Sequence, residues 1–321
     1  MLTQILLLIS SLIILVVAAE GLVRGASKLA LRLGVSHFVI GVVVIGFGTS
    51  APELAASLAS ATTGHGELAL GNVVGSNIMN IALVLGITAL IKPIPIAREL
   101  VRKETLIVIV VSLLPYLALT SGGTLERWMG ALFVIVLACF ITWSWRRSRE
   151  TGGTPEEEEL DEVKPKPGIR PVLAEGLMLV AGILMLTLGA TLLVESASTL
   201  ARSMGVSELV IGLTIVAGGT SAPELVTCLV ATMRGKTDLG IGNILGSCVF
   251  NILGILGITV IVVPLNVPSS MFTLDLPIMI GLAFVCIPLF FTGKGINRYE
   301  GAGLLAAWIT YTILLYVGWQ W

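Results

Sequence analysis

The sequence predicts an all-α polytopic membrane protein: ten transmembrane helices in two inverted five-helix repeats, with the second and seventh helices broken. Three observations lead there. The chain is apolar throughout, 55% hydrophobic and only 12% charged over 321 residues, with a mean hydropathy of +0.99, whereas a soluble domain carries roughly 25% charged residues. Apolar runs close to the ~20 residues that cross a bilayer recur ten times. The second half of the chain repeats the first.

The runs fall at about 2–23, 38–63, 68–91, 105–121, 128–145, 172–194, 208–233, 239–263, 272–292 and 301–319. No basic leader or small-residue cleavage site precedes Glu20, so the first run is expected to stay as a helix and not to be removed as a signal peptide. Ten helices place successive loops on alternate sides, and all of the 19 Lys and Arg except Arg127 and Arg202 then fall on one side. The positive-inside bias makes that side cytoplasmic and both termini extracytoplasmic.

The heptapeptide GTSAPEL at 48–54 returns unchanged at 219–225, a shift of 220 − 49 = 171 positions. The same shift brings GNVVGSNIMNI (71–81) onto GNILGSCVFNI (242–252), and 27 of the 60 positions 34–93 match 205–264 without a gap. The chain is therefore read as a first repeat, 1–145, a linker, 146–171, and a second repeat, 172–321. Each half holds an odd number of spans, so the second copy enters the membrane inverted, an arrangement common in secondary transporters. The linker, RRSRETGGTPEEEELDEVKPKPGIRP, has the composition of a solvated flexible segment; a calcium-sensing role for Glu156–Glu159 is open, but the segment is too short for a folded regulatory domain.

Inside the second and seventh runs, Pro52 and Pro223 lack the N–H that would bond the carbonyls of Gly48 and Gly219, so each run should split into two half-helices. Unsatisfied backbone at membrane depth is tolerated only where it is buried in protein or lines a cavity. Glu53 and Glu224 follow at once, at a depth where a carboxylate costs about 2.5–3.5 kcal/mol. Neither run contains a Lys or Arg to neutralise its acid. A divalent cation, protons, or hydrogen bonds from backbone to a protonated acid could each do so.

In the third and eighth runs, Ser76 and Asn80 share a helix face, as do Ser247 and Asn251. Hydroxyl, amide and carbonyl oxygens beside carboxylates are hard donors that suit calcium or sodium. Gly71, Gly75, Gly242 and Gly246 form small-xxx-small ridges that are expected to let helices approach closely. His37 and His65 fall at span edges and form no metal-site pattern. Cys139, Cys228, Cys248 and Cys286 lie in apolar runs without CxxC spacing and are read as packing thiols. Glu20, Glu195 and Glu208, near span ends, receive no role. No nucleophile–base set suggests an enzyme. A cation channel would use rings of residues from several subunits, which internal repeats do not favour.

On the two motifs, each present twice at one spacing, the chain resembles the prokaryotic sodium/calcium exchangers of the cation/calcium exchanger superfamily. The resemblance covers both repeats and nearly all of the membrane part. It implies a core built from the second and third helices of each half, with Glu53 and Glu224 as the central carboxylates shared by Ca²⁺ and Na⁺. It further implies hydroxyl and carbonyl ligands at Thr49, Ser50, Thr220 and Ser221, flanking ligands at Ser76, Asn80, Ser247 and Asn251, and main-chain oxygens at Gly46 and Ala217. Asn251 departs from several members that carry Asp there, which bears on the sodium stoichiometry and on any part played by potassium or protons.

The expected function is Na⁺/Ca²⁺ antiport, an electrogenic Ca²⁺ efflux across a prokaryotic inner membrane. The ions are substrates, no cofactor is expected, and neither an obligate protein partner nor a nucleic acid is implied. A proton/calcium or a potassium-dependent exchanger on the same glutamates is the alternative.

Overall fold

The computed structural model describes residues 2–96, 98–150, 169–205, 217–291 and 295–317. Most of the charged linker, including Glu156–Glu159, lies outside these residues, as does Glu208.

The first repeat runs α1 (Leu2–Leu33), α2 (His37–Thr49), α3 (Ala51–Thr62), α4 (Gly66–Ile91), strand β1 (Ile94–Pro95), α5 (Val101–Ser121), β2 (Thr124–Leu125) and α6 (Arg127–Glu150). The second runs α7 (Ile169–Ser203), α8 (Ala217–Thr220), α9 (Ala222–Met233), α10 (Thr237–Val262), β3 (Leu265–Asn266), α11 (Ser269–Phe291), β4 (Gly295–Ile296) and α12 (Arg298–Val317). Seven of the described helices are long and apolar enough to cross a membrane, or eight if α2 and α3 count as one broken span. The sequence led us to expect ten. The difference arises where α9 is only 12 residues long and the run before it lies outside the described residues, and at α12, whose first turn carries Arg298 and Glu300.

The chain forms two compact units, and each draws on both repeats. The first comprises 1–49 and 142–243, the second 50–141 and 244–321. A division by contact therefore cuts differently from the division by duplication.

In the first unit α1 packs along α7, with Leu15, Leu22, Ala26, Ile40, Leu179 and Leu186 in the shared core. Arg32 of α1 forks onto Glu175 of α7, Nε to Oε2 and Nη2 to Oε1, both at 2.8 Å. Glu20 holds Arg24 at 2.6 Å and Nε of Arg234, at the end of α9, at 2.9 Å, so this acid serves the surface of the unit. Backbone approaches backbone closely at Gly41 and Gly242: a Cβ on the first would overlap the Leu239 carbonyl oxygen, and one on the second the Phe38 carbonyl oxygen.

The second unit is built round α4 and the C-terminal part of α10. In their most apolar stretches 72% and 89% of residues are buried, against 28% in α1 and α7, so α4 and α10 are interior helices. The contacts that seat them exchange repeats. Ile94 pairs with Ile296 and Leu125 with Leu265, each in an antiparallel two-residue strand pair. A Cβ on Gly130 would lie 2.6 Å from the Gly257 carbonyl oxygen, and one on Gly86 3.1 Å from that of Gly301. Adding 171 to one partner and subtracting it from the other turns each pair into its mate. The exchange is self-complementary: each contact, shifted by one repeat, becomes the other.

Two packing expectations change. Among the described residues nothing lies within 4 Å of a Cβ placed on Gly71 or Gly75, so the close helix approach expected at these two is not seen, whereas Gly242 does make one. Gly212, the repeat counterpart of the Gly41 that meets Gly242, lies outside the described residues. Cys139 is exposed, unlike the buried Cys228, Cys248 and Cys286, because the outward face of α6 carries it.

Candidate functional site

The two breaks have the same local cause. Pro52 and Pro223 each take the first turn of a helix, where their missing N–H costs nothing, and the backbone leaves helical geometry one residue before that helix. Ser50 has φ −86°, ψ 7° and Ser221 φ −87°, ψ 6°. The helix resumes at Leu54 N–H to Ser50 C=O, 3.2 Å, and Leu225 N–H to Ser221 C=O, 3.0 Å. Glu53 and Glu224 thus stand in the first turn of α3 and α9, where the positive end of the helix dipole favours a carboxylate. Each is only 1% exposed.

In the second unit, Ser50 caps α3 and Glu53 lies on it, and α3 packs on α4 and on the C-terminal part of α10. Ser76 and Asn80 lie on α4, and Ser247 and Asn251 on α10; all four are buried. Asn80 opens a π-helical segment, Asn80–Val84, and Asn251 opens its counterpart, Asn251–Leu256. Leu85 N–H bonds the Asn80 carbonyl five residues back, the spacing that defines the wider turn, and such bulges gather at functional sites. The side-chain oxygens of both asparagines, each residue 1% exposed, have no hydrogen-bond partner among the described residues. Buried amide oxygens are nearly always paired. Two unpaired ones at repeat-equivalent places are the donors a hard cation takes up.

In the first unit the end of α2, Gly46–Thr49, packs on α9, which carries Glu224. Gly46 and Thr49 are buried; Thr49 Oγ1 lies 3.1 Å from both the Ile45 carbonyl oxygen and Asn243 Oδ1. Ala217 and Thr220 bound α8, Thr220 half-buried, and Ser221 is buried at the break. His37 starts α2 half-buried, while His65 is exposed 3.2 Å from Thr63 Oγ1. A cavity of about 500 Å³ in the second unit, lined among others by His65, Glu67 and Asn266, includes none of the candidate residues.

Three polar residues escaped the sequence reading. Asn72 donates Nδ2 to the Glu53 carbonyl at 3.1 Å and to Ser57 Oγ at 2.8 Å, fastening the Glu53 turn to α4. Asn243, its repeat counterpart, meets Thr49. Both are the Asn of the GN pair that opens the second motif, and their recurrence was the available signal. Asn77 bonds Asn251, but Cys248 stands at its repeat position, so the duplication conceals it.

The chain is similar to known proteins along nearly all of its length. The profile of the family described as sodium/calcium exchanger protein matches residues 3–146 and 175–317. CaxA of Alkalimonas amylolytica is 38% identical over 98% of this chain and 99% of its own length. The sodium/calcium exchanger MaX1 of Methanosarcina acetivorans is 28% identical over 97% of this chain and 98% of its own. Among solved structures, the sodium-calcium exchanger NCX_Mj soaked with zero Na⁺ and Ca²⁺ superposes with a TM-score of 0.82 and 26% identity, over 97% of this chain and 98% of that one.

Proposed function

Because the chain belongs to the sodium/calcium exchanger protein family, we propose that it is a secondary antiporter that moves Ca²⁺ out of the cytoplasm against Na⁺ by alternating access. The observation that carries this reading is the recurrence, 171 residues apart, of a buried carboxylate after a helix break and a buried, unpaired amide oxygen at a π-helical turn. Glu53 and Glu224 supply the charge. Thr49, Ser50, Thr220, Ser221, Ser76, Asn80, Ser247 and Asn251, with the carbonyls of Gly46 and Ala217, supply neutral oxygen.

Competition gives the coupling. Both acids must be neutralised, by one Ca²⁺ or by several Na⁺, before the protein reorients, since carrying bare carboxylates through low dielectric is costly. With more than two Na⁺ per Ca²⁺, net positive charge enters, and the membrane potential adds about 2.3 kcal/mol per charge per 100 mV.

The reading includes ten spans in two inverted repeats, 1–145 and 172–321, joined by a cytoplasmic linker, with both termini extracytoplasmic in a prokaryotic inner membrane. The strand pairs support the inversion. β1 follows the third span of its repeat, and its partner β4 follows the fourth span of the other. Paired strands share one side of the bilayer, which holds only if the second repeat enters the other way up.

The test is ⁴⁵Ca²⁺ uptake into proteoliposomes preloaded with Na⁺, with pH equal on both sides and K⁺ present or absent. Uptake that follows the outward Na⁺ gradient is expected. Uptake only under a proton gradient would assign the glutamates to proton exchange instead, and a requirement for K⁺ would add a third ion.

A further inference from the structure

Asn77 is fully buried on α4, at 1% exposure, and is held from two directions in the second unit. Its Nδ2 donates to the Cys248 carbonyl oxygen at 3.1 Å and lies 3.7 Å from Met279 sulfur. Its Oδ1 accepts from Asn251 Nδ2 at 2.9 Å.

Donor and acceptor roles fix every orientation in this chain of bonds. A backbone carbonyl only accepts, so Asn77 must turn its NH₂ to Cys248, and a thioether is likewise an acceptor only. The Asn77 oxygen therefore faces Asn251. Asn251 must answer with its own NH₂, which leaves its oxygen on the opposite side, buried and unpaired among the described residues. A flipped Asn251 would set oxygen against oxygen and take the unpaired acceptor away from that opposite side. The orientation of this amide is thus dictated from a main-chain carbonyl, through Asn77.

We propose that Asn77 is a positioning residue that aims the Asn251 side-chain oxygen at the transported cation. The assignment rests on the antiporter reading above, and it gives the first repeat a task its copy does not share. The counterpart, Cys248, carries a thiol that cannot offer the same strong donor and acceptor together.

The test is a double-substitution cycle on the half-saturating Ca²⁺ concentration for exchange in proteoliposomes, using the full chain. Asn77→Ala, and Asn77→Leu as a volume-conserving control against collapse of the site, should each raise that concentration about tenfold, the size of one lost hydrogen bond, with little change in maximal rate. In an Asn251→Ala background the same substitutions should have no further effect, because no oxygen remains to aim. Equal effects in both backgrounds would mean that Asn77 only supports the fold, and an unshifted concentration would mean that it aims nothing; either result overturns the proposal while leaving Ca²⁺ exchange intact. Loss of exchange in the unsubstituted chain would overturn the antiporter reading and this one with it.

Discussion

Gly219 lies against Val194 of α7 so closely that a Cβ on the glycine would overlap the Cγ2 methyl of the valine, and Gly48, its repeat counterpart, lies in the same way against Cδ1 of Ile183. Both glycines open a GTSAPEL motif, and both are small because a helix passes over them. The two neighbours differ in freedom: the end of an isoleucine can swing aside, whereas a valine is stiff about its one rotatable bond. Gly219→Ala should cost about 1–3 kcal/mol by overpacking and Gly48→Ala less, read as thermal unfolding of purified protein. Val194→Ala should restore Gly219→Ala. Equal losses at the two glycines, or no rescue, would refute the steric account.

The carboxylates should be separable from the fold. Glu53→Gln and Glu224→Gln keep shape and remove charge, so each variant should express and melt like the parent yet show no Ca²⁺ exchange. Exchange retained by either variant would remove that residue from the proposed site.

Arg32 and Glu175 form a two-pronged ion pair with side chains only 13% and 10% exposed. Removing one partner leaves the other charge without its paired hydrogen bonds, so Glu175→Gln and Arg32→Gln should each lower the melting temperature of the purified protein. Replacing both with leucine should cost less than either single change. A double variant that melts below both single variants would show that the pair itself carries the stability.

Asn251→Asp adds a charge at the edge of the proposed site and should change the sodium dependence of exchange more than its calcium affinity. Sodium titration of ⁴⁵Ca²⁺ uptake reads this directly. An unaltered sodium response would detach position 251 from coupling.

Much of this was legible in the residues, for definite reasons. Proline removes a specific donor, so the breaks near Pro52 and Pro223 could be read from covalent chemistry, and the backbone departs from helix at Ser50 and Ser221, one residue before each resumed helix. A buried acid without a neighbouring base stands out in an apolar run, which exposed Glu53 and Glu224. Duplication then doubled each signal. What it could not reveal is what the copies do differently. Asn77 and Cys248 occupy one repeat position, and a search for recurrence passes over the amide that bonds Asn251. The π-helical segments at Asn80 and Asn251 carry no propensity signal, since both sit in runs of residues equally content in an α-helix. The compact units were hidden for a geometric reason: contact gathers residues from both copies, whereas sequence periodicity sees only the copies.

The central claim is that Glu53 and Glu224 hold Ca²⁺ in competition with Na⁺, and equilibrium ⁴⁵Ca²⁺ binding to the purified protein and to its two glutamine variants tests it most directly. Saturable binding by the parent, displaced by Na⁺ and absent from Glu53→Gln and Glu224→Gln, is the predicted result. Calcium binding that survives both substitutions, or that Na⁺ does not displace, would contradict the account.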